Sequence, residues 1–231
     1  RSSARLARPV HLAVYLLGVA LVMAPWALRN AVVYGGRPVL LTPMGGEVFW
    51  IGNNAQASGG AFAEGRPGVS VFEVAPEAFR RDIQGRDELG QSQRFTQEAL
   101  WYLWYHPRET LHLFMRKLWT FIWFSPQTGA LYPASYLFLY KRYYGVVLTL
   151  AVIDVLLSLT ITETGRKAAH ATVLAFIASV ALLQAVFYVE IRHRWGIEPL
   201  VIIFSTGTVA WLLSHVQKAR AMSSNVKTRL A

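Results

Sequence analysis

Between two long apolar stretches, the segment Glu190-Ile191-Arg192-His193-Arg194-Trp195 gathers two guanidinium groups, an imidazole and a carboxylate, and Glu198 follows shortly after. At a boundary between hydrocarbon and water, such a cluster suits phosphate. A guanidinium offers several N–H donors in a fixed fork and never loses its charge. Arg192 and Arg194 are therefore candidate ligands for a lipid-linked phosphate, and internal pairing with Glu190 and Glu198 is the competing reading. A second basic pair, Arg116 and Lys117, either binds lipid headgroups or holds an anionic lipid substrate.

Two other groupings could touch a substrate. Gly45-Gly46 and Gly52-Asn53-Asn54 could bring backbone N–H groups and two amides to a sugar or phosphate, and turn-making explains them equally well. Asp154 lies inside a greasy stretch, roughly 16 Å along its helix from Tyr143 at the usual rise per residue. A carboxylate at that depth is either a helix-packing partner or a carrier of a proton or cation. Its place toward the cytoplasmic half favours packing. The sequence holds no P-loop, GxGxxG, HExxH or GxSxG pattern, so nucleotide-driven transport and zinc proteolysis have no motif support. No metal-ligand cluster stands out, and a divalent ion is left open. With no cysteine, disulfides and zinc-thiolate sites are excluded.

The elements that must position these groups are helices of membrane length. The chain has 231 residues, 54% hydrophobic and only 16% charged, with a mean hydropathy of +0.32. Four stretches approach the roughly 20 residues that cross a bilayer core: Val10–Leu28, Tyr143–Ile161, Ala168–Val189 and Gly196–Ser214. The expected fold is thus an all-α integral membrane protein with about four spans. The net charge of +10 comes from residues flanking those spans, which points to membrane orientation and anionic lipid rather than to nucleic acid. Arg1, Arg5, Arg8, Arg166, Lys167, Lys218, Arg220, Lys227 and Arg229 fall on one side, which the positive-inside tendency assigns to the cytoplasm. This divides the chain into a tail and first span (1–28), an extracytoplasmic region (29–142), three further spans (143–214) and a basic cytoplasmic tail (215–231).

The extracytoplasmic region changes character along its length. Glycines concentrate between Gly35 and Gly68, and the short apolar runs Val39–Leu41 and Val48–Ile51 leave room for a small hairpin. Phe79–Arg94 is polar and in part helical, and the proline of His106-Pro107 should end an aromatic helix. Residues 108–124 read as an amphipathic interfacial helix, with a fifth crossing as the alternative that Arg116 and Lys117 at its centre oppose. Glu109, His112, Arg116 and Thr120 fall on one face and Leu111, Phe114, Leu118, Phe121 and Ile122 on the other.

Taken in order, Pro25-Trp26-Ala27-Leu28-Arg29-Asn30 and Gly45-Gly46-Glu47-Val48-Phe49-Trp50-Ile51-Gly52-Asn53-Asn54 resemble segments of the GT-C membrane glycosyltransferases related to protein O-mannosyltransferases and lipid A aminoarabinose transferases. In that family a "PWxxRN" span end leads into a "GG…hxxGNN" loop. His106-Pro107-Arg108-Glu109 through Arg116-Lys117-Leu118 is similar to the family's "NPg…KL" helix, with His106 in place of Asn. Glu190 to Pro199 is similar to "E-x-RYRLPIxP", with His193, Trp195 and Gly196 replacing Tyr, Leu and Pro. The matches cover most of residues 25 to 200.

The resemblance implies a multi-pass transferase of the cytoplasmic (inner) membrane. It would take a sugar from a polyprenyl-phosphate carrier at the outer face and hand it to a lipid, glycan or protein acceptor. Positive charge at Arg192, Arg194, Arg116 and Lys117 would stabilise the departing phosphate. The family's catalytic carboxylates belong to a first external loop that nothing before Arg29 supplies, so the chain reads as the carboxyl-terminal part of such an enzyme. Neither Glu47 nor Glu190 is assigned as the base. A non-catalytic lipid-binding or assembly subunit is the alternative, and ion-coupled transport through Asp154 is a third.

Overall fold

The computed structural model describes residues 3–37, 39, 42–160 and 164–230. Within them the chain is helical, with only two isolated β-bridges and no strand. Four helices are long and apolar enough to cross a membrane, compatible with a multi-pass membrane protein. Helix α1 (Ser3–Val33) carries the first apolar stretch past Pro25 and beyond the expected end at Leu28. It stops in a glycine-dependent cap: Gly35 has φ 62°, its N–H reaches Val32 O, and Gly36 N–H reaches Ala31 O at 2.7 Å. The apolar stretch of α1 is not buried against the rest of the chain. Its C-terminal end is tied down instead, by Asn30 Nδ2 to Val39 O (3.1 Å), Tyr34 Oη to Glu88 (2.8 Å) and the Arg37–Asp87 ion pair.

Between α1 and the second long helix lies a helical cap. Helices α2 (Gly45–Ile51), α3 (Glu77–Gln84) and α4 (Glu88–Tyr105) enclose an aromatic core in which Trp50 stacks on Phe79 and lies 5.1 Å from Phe95. Asp87 caps α4 through a bond from Gly90 N–H. The expected hairpin is not there. Val48–Ile51 lies in α2, and Leu40 and Leu41 of the proposed partner run lie outside the described residues. The reason is Gly46, which lets α2 press against α4: a Cβ there would collide with the Ser92 carbonyl and Thr96. Helix pairing at that distance replaces strand pairing.

Pro107 ends α4 at Tyr105 and opens α5 (Pro107–Ile122) as its first residue, where a missing N–H costs nothing. The faces of α5 differ from those expected. Leu113, Lys117, Thr120 and Phe121 point inward, while Leu111, Met115, Trp119 and Ile122 form an exposed apolar stripe. Successive helical side chains are about 100° apart, so Arg116 and Lys117 part company: one stays at the surface and the other enters the interior. Rather than lying apart, α5 packs along the third long helix, and Phe121 joins the core of the span bundle.

The remaining long helices are α6 (Ala134–Ser158), α7 (Thr164–Val186) and α8 (Glu198–Leu230). α6 starts nine residues before the expected Tyr143, taking its first turns from what had been read as loop. α8 continues as helix through Leu230, so the segment 215–231 is an extension of the span's helix rather than a separate tail, with Ala231 outside the described residues. Pro199 sits in the first turn of α8, as its chemistry requires. Polar ties hold the bundle: Thr208 Oγ1 bonds Leu150 O at 2.7 Å, and Asp154 of α6 meets His170 Nε2 of α7 at 3.1 Å. Gly207 on α8 leaves room for the Asp154 carboxylate, which a Cβ would strike. Asp154 is therefore a helix-packing partner.

Candidate functional site

The basic cluster folds into a 3-10 turn, Ile191–Arg194, between α7 and α8. Glu190 starts the turn, and its side chain and that of His193 cap each other's backbone N–H groups in a reciprocal box. His193 Nδ1 accepts the Glu190 N–H at 3.3 Å, a bond that needs a neutral ring. Burial, aided by the nearby Arg192 charge, pushes the His193 pKa down and favours that state. The turn then sends its two arginines in opposite directions.

Arg194 turns inward and is wholly buried. Its Nε donates to Glu198 at 3.2 Å, and Nη1 donates to the carbonyls of Ile122 (3.3 Å) and Trp123 (3.2 Å). The guanidinium lies 3.7 Å over the Tyr144 ring and 4.7 Å over Phe124. Tyr140 donates its hydroxyl to the same Glu198 carboxylate. This arrangement stitches the end of α5 to the beginnings of α6 and α8.

Arg192 turns outward. Its side chain is 55% exposed and pairs with Glu190 at 2.7 Å. Burial pushes the Glu190 pKa up although the Arg192 charge opposes this. Glu190 also lines a narrow cleft with Thr120, Gln127, Thr128 and the Gly60 backbone. Arg116 lies one helical turn before Thr120, and its Nη1 holds Glu64 at 2.6 Å. Both outward arginines thus belong to segments that border the cleft, each steadied by one carboxylate.

Lys117 resolves differently from its neighbour. With 1% exposure, its Nζ donates to Gly52 O (3.1 Å), Asn53 Oδ1 (2.9 Å) and Phe187 O (2.9 Å), and burial lowers its pKa to about 8. The glycine and asparagines of the 52–54 segment complete this junction. Gly52 brings its backbone against Phe187 and Tyr188, where a Cβ would collide. Asn53 Nδ2 donates to Phe49 O and Val186 O, and Asn54 Nδ2 donates to Trp50 O at 2.6 Å. The nearby Gly59, at φ 87°, passes close to the Lys117 stem, and Val189 N–H bonds its carbonyl.

These positions correct part of the site expected from the sequence. Arg194 and Lys117 are interior ties and cannot meet a lipid phosphate in this arrangement, because both are sealed from solvent, including Arg194 Nη2, which has no hydrogen-bond partner in the protein. Asn53 and Asn54, each 4% exposed, use their amide donors on neighbouring carbonyls rather than on a substrate. Gly46 is a helix-contact residue, whereas Gly45 faces open space. Arg192 and Arg116 remain accessible. The sequence reading missed Tyr140 and Tyr144, whose i, i+4 spacing on α6 marks a common face for a cation. It also missed His170, which two antiparallel helices joined by a short connection bring level with Asp154.

Among the described residues, no group of three or more His, Asp or Glu side chains is placed to hold a metal ion. Compared with protein family models, curated proteins and solved structures, the chain has no match.

Proposed function

We propose that the chain is part of a membrane glycosyltransferase that moves a sugar from a polyprenyl-phosphate donor to a lipid, glycan or protein acceptor at the extracytoplasmic side of the cytoplasmic membrane. The observation that carries this reading is the outward Arg192, held by Glu190 beside a cleft at the junction of two membrane-length helices. A polyprenyl-phosphate keeps its tail among spans and its head at their ends, which is where such a charge can act. Arg192 would draw negative charge as the carrier phosphate departs, with Arg116 as the second surface cation. Arg194 would serve that chemistry indirectly by fixing the turn from inside. No carboxylate of this chain is assigned as the base for the acceptor.

The test is sugar transfer from a polyprenyl-phosphate-linked donor by the full-length protein in lipid nanodiscs. Arg192→Ala should lower the rate by about 100-fold, the scale of losing one stabilising donor at a transferring group, while changing unfolding stability by about 1 kcal/mol at most. Arg192→Lys should restore part of the rate. Unchanged transfer in Arg192→Ala, or equal losses of transfer and folded protein, would overturn the proposal. A lipid-binding or assembly subunit is favoured by one observation: α5 offers an exposed apolar stripe of Leu111, Met115, Trp119 and Ile122 beside its surface charges. That reading predicts anionic-lipid binding with no sugar transfer.

A further inference from the structure

On the cap, away from the basic turn, a cleft of about 420 Å³ opens between the end of α2, helix α3 and helix α4. Its size is that of a ligand site, and its chemistry is mixed in a particular way. Trp101, 52% exposed, offers an indole beside Tyr102 and His106, which stack on each other 5.0 Å apart. Along the same face of α4, reaching across to Asp82 of α3, runs a polar row. Arg94 donates from Nε to Asp82 (2.9 Å) and from Nη1 to Glu98 (2.9 Å), while its guanidinium rests 5.0 Å over the Phe79 ring. The row is fixed from behind, yet both carboxylates remain about one-third exposed. Arg86 and Arg94 hold the Asp82 carboxyl below its ordinary pKa, so it stays an acceptor.

Trp50 closes the cleft from within the aromatic core, 2% exposed, with its indole Nε1–H sealed from solvent. Aromatic faces for C–H groups and rigid carboxylates for hydroxyl donors match the alternating faces and edges of a pyranose. They do not match a phosphate, which two carboxylates would repel.

We propose that this cleft binds neutral sugar units, and that it holds the glycan of the acceptor. The second half of that statement rests on the transferase reading, whereas the binding itself does not.

The experiment uses the full-length protein in phosphatidylcholine nanodiscs, free of glycoside detergents, titrated with cellohexaose, maltohexaose, chitohexaose, α-1,6-mannohexaose and a hexagalacturonate. Binding is read by saturation-transfer NMR and indole fluorescence. At least one neutral hexasaccharide should bind and the uronate should bind more weakly. Trp101→Ala should weaken the neutral sugar about tenfold or more, with Glu98→Gln as a second variant that leaves the aromatic side intact. Failure of every neutral sugar, equal affinity in Trp101→Ala, or preference for the uronate would overturn the proposal. Indole shielding set by the nanodisc lipid and unchanged by any sugar would assign the cleft to lipid headgroups and overturn it too. Sugar binding without transfer would remove the transferase reading alone. Transfer to an oligosaccharide acceptor that ignores Trp101→Ala would remove the groove alone.

Discussion

Two buried cations tie α5 to other parts of the chain, and they are held by different means. At Lys117 three neutral oxygens surround the ammonium, one for each of its N–H bonds, and nothing in that set carries a negative charge. At Arg194 the edge of the guanidinium meets one carboxylate and two carbonyls while its face covers an aromatic ring. The difference is one of shape and charge. A compact ammonium can be enclosed by backbone alone, but a plane needs partners along its rim and rings on its flat sides. One junction is charge-compensated and the other is not, and burial lowers the Lys117 pKa to about 8. Buried basic residues in this protein are therefore two kinds of tie, and the exposed Arg192 is neither.

The largest effect should follow from cutting the compensated tie. Arg194→Ala empties a sealed site and leaves the part-buried Glu198 carboxylate with the Tyr140 hydroxyl but no cation, and unfolding measured in nanodiscs should show a loss of about 3–5 kcal/mol. Arg194→Lys should recover less than half, because the ring contact needs the plane; full recovery would erase the distinction between the two sites.

Lys117→Ala comes next. It orphans three acceptors and leaves a cavity, for an expected loss of about 2–4 kcal/mol. A neutral outcome in the same unfolding assay would mean that water replaces the ammonium.

The pH dependence sharpens the contrast. Lys117 has a folded pKa of about 8 against an ordinary 10.5. Between those values the unfolded chain holds a proton that the folded chain has released, so stability should rise with pH across that window, on the order of 3 kcal/mol. Below pH 8 this contribution should be flat. Lys117→Met should abolish the rise, and Arg194→Lys in the same protein should not.

The smallest stability effect belongs to Arg192→Ala, where a half-exposed cation leaves the largely buried Glu190: about 1 kcal/mol or less by thermal unfolding. A loss as large as that of Arg194→Ala would make Arg192 a structural residue as well.

The helices were legible in the sequence because apolar length and proline placement are local signals. The four membrane-length stretches and the break at His106-Pro107 appear where hydropathy and backbone chemistry put them. What was not legible depends on contacts made far along the chain. Gly46 and Gly52 read as turn formers, yet each marks a close backbone approach whose other side lies at Ser92 or Phe187. Adjacent Arg116 and Lys117 read as one basic pair, and only the direction in which α5 packs separates them. The amides of Asn53 and Asn54 suggested a ligand, since their acceptors are carbonyls that sequence does not distinguish. The cleft beside Trp101 had no motif at all: its lining comes from three separate helices, and its polar row is an ordinary set of helical charges until folding sets it against aromatic rings.

Arg192 faces outward while Arg194 and Lys117 are sealed. Side-chain footprinting of the intact protein in nanodiscs tests this most directly, with phenylglyoxal for arginine and acetic anhydride for lysine, read by mass spectrometry. The account predicts rapid modification of Arg192, with Arg194 and Lys117 protected until the protein unfolds. Modification of Arg194 at the rate of Arg192 under native conditions would contradict it.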